Sequence, residues 1–389
     1  MGLDFSKSKF NRKKMTMRIC LVYRDFSKTG GIPRYVVELA ERFARKHELH
    51  LLTTDYNYEI LNSIVHRKPI IRTPFWLQIL TNTYYNTKYA KKLKEELDID
   101  IVHSNGSESL FCDIATLHDC HKAWSEEYKS WGLLQATRSV FDPTNRLVLL
   151  IEEKVVKNTK KIITISNNEK KRLLKFYDIP EEKIAVVPNG VNTEEFEINT
   201  DNRIKIRNEY KIEDNEVVLM FCGHEFRKKG LEFIIRSLPM TKENVKLFVI
   251  GNNKPSYYKK LAAEMGVLNK IIFLQFVPDI KDYYVASDIF VFPSLHEGFG
   301  LVITEAMSSG LPVITTKLTG ASEIMTDAYD GLLLNEVNPK EIAEKINLLI
   351  SDEKLRKQLG RNARKTAEKL TWDKAARRTL EVYEEILKR

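Results

Sequence analysis

The sequence predicts an α/β protein built from two doubly wound parallel sheets, and three observations carry that reading. The chain has 389 residues, a length that ordinarily holds two or three domains. Short apolar, β-branched runs alternate with longer amphipathic stretches, the pattern of buried strands in βαβ units. Those runs form two successive sets, each of roughly 170 to 190 residues, which fits two sheets better than one very large one.

The first set comprises residues 17–23, 49–53, 101–104, 113–117, 162–166 and 184–187. The second comprises 217–221, 247–250, 271–274, 289–292 and 312–316. Between them, Pro188-Asn189-Gly190 reads as a turn, and the charged stretch 193–216 contains few strand formers. The expected division is therefore a first domain over 1–191, a second over 192–373 and a C-terminal helix over 374–389. Asn338-Pro339-Lys340-Glu341 predicts an N-cap, a first-turn proline and a capping-box glutamate. Ile342, Ile346, Leu349 and Ile350 follow on one face. Thr371 caps the last helix, where Ala376, Leu380, Tyr383 and Leu387 form a stripe. That stripe must pack on something, and periodicity does not say whether it covers the second domain or crosses back to the first.

A hydrophobic fraction of 43% with 10% aromatics supplies large cores and excludes disorder, collagen and coiled coil for the whole chain. No run approaches the roughly 18 uninterrupted apolar residues of a membrane span, and the basic N-terminus lacks the apolar core of a secretion signal. A cytoplasmic location is expected. Cys20, Cys112, Cys120 and Cys222 make no CxxC pair and read as structural thiols. His118, Cys120 and His121 lack a fourth ligand at zinc spacing. The net charge of +9 is concentrated at the ends: residues 1–50 carry +7, residues 351–389 carry +5, and the interior carries −3. No nucleic-acid module accompanies this excess. Basic ends suit an anionic membrane surface instead, and His121–Phe141, with Trp124, Trp131, Leu133, Leu134 and Phe141, is a second candidate contact.

The most informative segment runs from Phe292 to Met307, FPSLHEGFGLVITEAM. It leaves a strand and opens a helix, at the carboxyl edge where open α/β sheets bind ligands. Gly298 and Gly300 let the backbone approach a ligand closely, and the helix start offers unpaired N–H groups to an anion. Glu297 and Glu305 flank this anion pocket. Carboxylates are poor phosphate ligands but good acceptors for hydroxyls, so the expected ligand is both phosphorylated and polyhydroxylated. A nucleotide sugar has that makeup. A second loop, Gly223-His224-Glu225-Phe226-Arg227-Lys228-Lys229-Gly230, follows another strand and brings three cations suited to a diphosphate.

Glu297-x7-Glu305 around Gly-Phe-Gly resembles the family 4 retaining glycosyltransferases, whose GT-B fold has two facing Rossmann-like domains with a cleft between them. Ile184–Asn192 (IAVVPNGVN) is similar to the interdomain signature of that family, and Thr164-Ile165-Ser166 to its strand-Ser-helix element. Thr29–Arg34, with Gly30 and Gly31, resembles the glycine-pair loop after its first strand. His118 is similar to the histidine near the donor sugar. The cationic loop departs from the commonest pattern, since His224 stands where many members have Arg. It is closer to the subgroup ending Arg-Lys-Gly that includes lipopolysaccharide core glucosyltransferases. On that register Lys228 takes the Arg position and Lys229 the Lys position, with Arg227 a competitor. Thr319 stands where the family often has a glycine.

The resemblance implies a hexosyltransferase acting with retention, its donor a UDP-glucose-type or GDP-mannose-type sugar. The acceptor would be a glycan or glycolipid of lipopolysaccharide or other cell-surface polysaccharide synthesis. Glu297, Lys228, Lys229 and His118 would be catalytic. Gly30, Gly31, Arg227, Gly298, Phe299, Gly300, Leu301 and Glu305 would bind donor. No cofactor and no metal are expected, because Asp98-Ile99-Asp100 precedes a strand and reads as a turn. A nucleotide-sugar epimerase on the same fold and a catalytically idle sugar-nucleotide-binding subunit are the alternatives. A NAD-dependent dehydrogenase is disfavoured, since the first strand leads to Gly30-Gly31 and never to GxGxxG.

Overall fold

A computed structural model describes residues 17–388 apart from 198, 199, 243, 276 and 278, and gives the backbone alone at 133–135 and 138. The basic stretch 1–16, a candidate membrane contact in the sequence, lies outside the described residues. The chain divides into two compact units, one formed by residues up to Asn189 together with Trp372 onward, the other by Gly190–Thr371.

In the first unit the strands are β1 (Arg18–Val22), β2 (Asp25–Phe26), β3 (Glu48–Thr53), β4 (Asp55–Tyr56), β5 (Ser63–Arg67), β6 (Ile101–Asn105), β7 (Ile114–Leu117), β8 (Lys161–Thr164) and β9 (Ile184–Val186). Seven of them form one parallel sheet in the order β5-β3-β1-β6-β7-β8-β9, while β2 and β4 make a small pair of their own. The second unit holds β10 (Val217–Cys222), β11 (Val245–Ile250), β12 (Ile271–Leu274), β13 (Ile289–Phe292), β14 (Val313–Thr316) and β15 (Gly331–Leu334). These pair in parallel as β12-β11-β10-β13-β14-β15. Strands such as β10 and β13 are buried along their whole length, as helices on both faces require. Each sheet reverses its strand order once, between β1 and β6 in one and between β10 and β13 in the other. A ligand crevice opens at such a reversal.

Helix ends follow the expected chemistry with one change. Asn338 Oδ1 accepts from the Glu341 N–H (2.9 Å) with Pro339 in the first turn. The Glu341 carboxylate does not return to Asn338; it accepts from the N–H groups of Asn335 and Glu336 (2.9 Å each). It thereby fastens the exit of β15 to the helix start.

The last helix, Trp372–Leu387, belongs to the first unit. Its buried face is Trp372, Ala375, Ala376, Thr379, Val382 and Tyr383, so the stripe expected from Ala376, Leu380, Tyr383 and Leu387 is displaced. Leu387 is 47% exposed. Aromatic packing and a polar anchor decide the rotation: Trp372 stands edge-on to Tyr35, Tyr383 packs on Phe43, and Tyr383 Oη meets His103 Nδ1 at 2.6 Å. Arg42 donates to Asp373 at the rim (2.9 Å).

His103 Nε2 is also bonded, to Thr116 Oγ1 (2.7 Å), so a neutral ring satisfies one donor and one acceptor. Burial pushes the pKa values of His103 and His118 down to about 3, and that of His66 to about 4. Their unfolded value of 6.5 is higher, so below it the unfolded chain binds protons that the native chain refuses. Stability from these groups is full above the unfolded value and is lost as pH falls toward the folded values. At about pH 5 each depressed histidine accounts for about 2 kcal/mol of lost stability. Thermal unfolding should therefore show Tm falling steadily from pH 7.5 to 5. A flat or rising Tm over that range would contradict the assignment.

Candidate active site

The second unit assembles most of the predicted residues at its order reversal. Lys228 and Lys229 end the loop after β10, and Glu297 to Gly300 form the loop after β13. The two loops are laced together by Lys228, whose carbonyl accepts from the Leu295 N–H (2.9 Å) and the Ser294 hydroxyl (3.2 Å). Ser294 Oγ also lies 3.0 Å from the His296 carbonyl. Ser294 was not singled out in the sequence. A hydroxyl directly after a strand-ending proline was the available signal.

Across these loops the Lys229 ammonium pairs with the Glu297 carboxylate. The side chains are 13% and 19% exposed, and the ammonium sits 6.0 Å from the Phe292 ring centroid. The three adjacent cations thus separate: Arg227 is exposed, Lys228 is buried and Lys229 is half-buried against Glu297. Lys229 is the one that meets Glu297 of the carboxylate loop. Gly230, directly behind, has φ +78°, and a Cβ there would lie 2.2 Å from the Pro293 carbonyl oxygen. Glycine is what lets the cationic loop lie against the acidic one.

Glu297 pairs in a β-bridge with Thr319, its carbonyl accepting from the Gly320 N–H (3.2 Å), while the Phe299 carbonyl accepts from Ala321 (2.7 Å). The loop is therefore held on both sides. Thr319 adopts φ −88°, ψ 140°, ordinary extended backbone, so its replacing a glycine costs no strain. Its hydroxyl donates to the Thr316 carbonyl (3.0 Å).

Helix Leu301–Ser308 starts from Gly300 at φ 96°, with no side-chain cap and no acid in its first turn. Such an end leaves N–H groups and partial positive charge for an anion. A Cβ at Gly300 would meet Glu297 Cγ at 3.2 Å and Ile303 Cδ1 at 3.1 Å. Phe299 is buried and Leu301 half-buried, so the stretch Gly298–Leu301 presents backbone groups and no polar side chain. One turn on, buried Glu305 accepts from the Tyr284 hydroxyl (3.0 Å). Tyr284 was missed by sequence reading, because one tyrosine on a helix otherwise reads as core.

The first unit holds the remaining predicted residues. Gly30 (φ 88°) caps helix Gly31–Phe43, and both glycines are exposed. His118 follows β7, buried, edge-on to Tyr35 of that helix at 4.7 Å. Its Nε2 has no hydrogen-bond partner among the described residues. Tyr35 thus brings the Gly30 helix and His118 together. Asp98 has φ 47°, and Asp98 and Asp100 both engage Arg18, which agrees with the turn read there. All four cysteines are free thiols.

The model for glycosyl transferases group 1 matches residues 202–366, and that for glycosyltransferase family 4 matches residues 29–195. An uncharacterised glycosyltransferase of Methanocaldococcus jannaschii is 28% identical over 94% of this chain and 98% of its own length. The capsular polysaccharide biosynthesis glycosyltransferase CapM of Staphylococcus aureus is 33% identical, over 53% of this chain and 56% of its own. Among solved structures, WaaG, a glycosyltransferase involved in lipopolysaccharide biosynthesis, superposes with a TM-score of 0.77 at 21% identity, covering 92% of this chain and 98% of that one. HepE of Anabaena, solved with UDP-glucose, gives 0.73 at 20% identity over 95% and 100%. Two family models in succession, with the carboxylate and cation loops meeting at the order reversal of the second sheet, show that the chain belongs to the family 4 glycosyltransferases and has the GT-B fold.

Proposed function

We propose that this glycosyltransferase moves a hexose from a nucleotide diphosphate sugar to an acceptor hydroxyl with retention at the anomeric carbon. The observation that carries the reading is the Lys229–Glu297 pair beside the uncapped helix start at Gly300. In the reaction the bond from the anomeric carbon to the diphosphate oxygen breaks, and a bond from that carbon to the acceptor oxygen forms. The acceptor proton passes to the leaving phosphate on the same face. Negative charge grows on the diphosphate as it leaves. Lys229 and the N–H groups after Gly300 stabilise that charge in place, the preorganised kind of electrostatics that dominates many enzymes. Lys228 supports the clamp from its buried position, and Arg227 serves the outer edge of the donor.

Glu297 orients the sugar ring through its hydroxyls, and Glu305, steadied by Tyr284, takes the ribose hydroxyls. Cations and the helix end neutralise the diphosphate, so no metal is required. His118, whose Nε2 has no hydrogen-bond partner among the described residues, is a candidate hydrogen-bonding group for the sugar. The donor is of the UDP-glucose or GDP-mannose type. The acceptor belongs to lipopolysaccharide or another cell-surface polysaccharide, assembled at the cytoplasmic face of a membrane with peripheral contact. No helix among the described residues is long and apolar enough to cross that membrane.

Thermal-shift measurements with UDP, GDP and ADP, alone and as sugars, test the donor class. One series should raise Tm, since a ligand at a hundred times its Kd stabilises by about 2.7 kcal/mol. Glu305→Gln should weaken that nucleotide about tenfold to a hundredfold, the worth of a charged hydrogen bond. Transfer should proceed equally in EDTA. No stabilisation by any nucleotide would sink the reading, and product from donor alone would favour epimerisation.

A further inference from the structure

Helix Phe75–Glu96 buries Ala90 and Leu93 in its second half, but its first half is amphipathic the wrong way round. Its buried residues include Asn82, Thr83 and Asn86, and these have polar reasons to be inside. Asn82 bonds both the Lys68 ammonium and the Glu108 carboxylate, and Asn86 donates to the Glu108 carbonyl (2.8 Å). Glu108 is held in turn by Arg24 (2.7 Å). The outward side is the apolar one: Phe75 is 57% exposed, Trp76 41%, Leu80 44% and Tyr84 59%, with Ile71 at 46% just before the helix. Trp76, Leu80 and Tyr84 recur every four residues, so they stand in one stripe. An apolar stripe of this size on a soluble surface marks something that covers it.

Charge identifies the occupant. Residues 60–94 contain seven Lys and Arg and no Asp or Glu, and the acids Glu95 and Glu96 come only at the helix end. Lys68 and Lys94 are spent on internal partners, and Arg72 on Asp55. Lys92 pairs with Glu96, which leaves Lys88 and Lys91 as exposed cations on the same helix. A second copy of the same face would bring like charges together, whereas anionic lipid headgroups complement them. Trp and Tyr beside Lys are the side chains that settle at a membrane interface, and a helix lying in that plane needs the pairing of apolar stripe and cationic flank.

We propose that the exposed face of helix Phe75–Glu96 docks on an anionic lipid bilayer, with Trp76, Leu80 and Tyr84 entering the headgroup boundary and Lys88 and Lys91 meeting the lipid charge. This gives the peripheral membrane contact of the functional reading a surface, yet it needs no donor or acceptor, so either can fail without the other.

The full chain should cosediment with phosphatidylglycerol-containing vesicles and at least tenfold less with phosphatidylcholine alone. Replacing Trp76, Leu80 and Tyr84 together by serine should cut binding more than tenfold without lowering Tm, because these side chains are exposed. Lys88→Ala with Lys91→Ala should cut it about thirtyfold. Both variants keep the cations of residues 1–16, so any difference reports the helix. Wild-type binding by the serine variant, or equal binding to both vesicles, would overturn the proposal. So would a wild-type dimer in solution that the serine variant dissolves, since the face would then be a contact between copies.

Discussion

Replacing Lys229 with alanine should lower kcat by roughly a hundredfold to a thousandfold, the usual cost of removing one preorganised donor to a developing anion. The ammonium pairs with Glu297 of the carboxylate loop, whereas Lys228 is buried and Arg227 is exposed. The same change leaves Glu297 without its partner in a half-buried setting. Some loss of Tm is therefore expected too, below the 3 to 5 kcal/mol or so found when a fully buried pair is broken. Glu297→Gln separates the two effects. It keeps the shape, frees the ammonium for phosphate, and removes the acceptor for sugar hydroxyls. Nucleotide binding by this variant should hold or improve while kcat falls. Single-turnover rates set beside UDP, GDP and ADP titrations would show the split. Equal loss of binding and rate in both variants would mean that the pair is only a brace.

Gly230→Ala should damage the second unit's site severely for a single methyl group. Its φ of +78° costs an alanine roughly 1 to 2 kcal/mol, and the added Cβ would lie 2.2 Å from the Pro293 carbonyl oxygen. The obstacle is backbone, so it cannot swing aside, and overpacking adds about 1 to 3 kcal/mol more. Relief requires the loop carrying Lys228 and Lys229 to retreat from the loop carrying Glu297. Both stability and transfer should fall, and nucleotide should restore less of the Tm than it does in the wild type. Gly31→Ala is the control for Tm alone, because open space surrounds its Cβ position. Unaltered Tm in Gly230→Ala would refute the packing argument.

Much of this architecture was legible because buried parallel strands announce themselves. β10, β12 and β13 are almost pure aliphatic and aromatic runs, and their bounds differ little from the expected ones. One edge strand of each sheet escaped, although β9 and β12 at the opposite edges did not. β5, Ser63-Ile-Val-His-Arg, has two aliphatics and lies at a margin, and β15 opens on a glycine at the other sheet's margin. β2 and β4 are two residues each, too short for any periodicity. At the site, the Glu297 and Lys229 loops stood out by composition, whereas their pairing depends on strand order, which no local pattern encodes. Tyr284 and Ser294 escaped because their partners are distant in sequence. The reversed first half of helix Phe75–Glu96 escaped because a polar interior is intelligible only once Glu108 is seen inside it.

The return of helix Trp372–Leu387 to the first unit has a consequence for biosynthesis. His103 and Tyr383 are 280 residues apart in the chain, so at about 5 to 20 residues per second a ribosome needs tens of seconds to deliver the second after the first. Throughout that interval Tyr35, Phe43 and His103 lack their cover, while every strand of the second unit emerges and can condense. The unit begun first is thus completed only after the second, and the nascent chain must guard that bare groove until helix Trp372–Leu387 emerges.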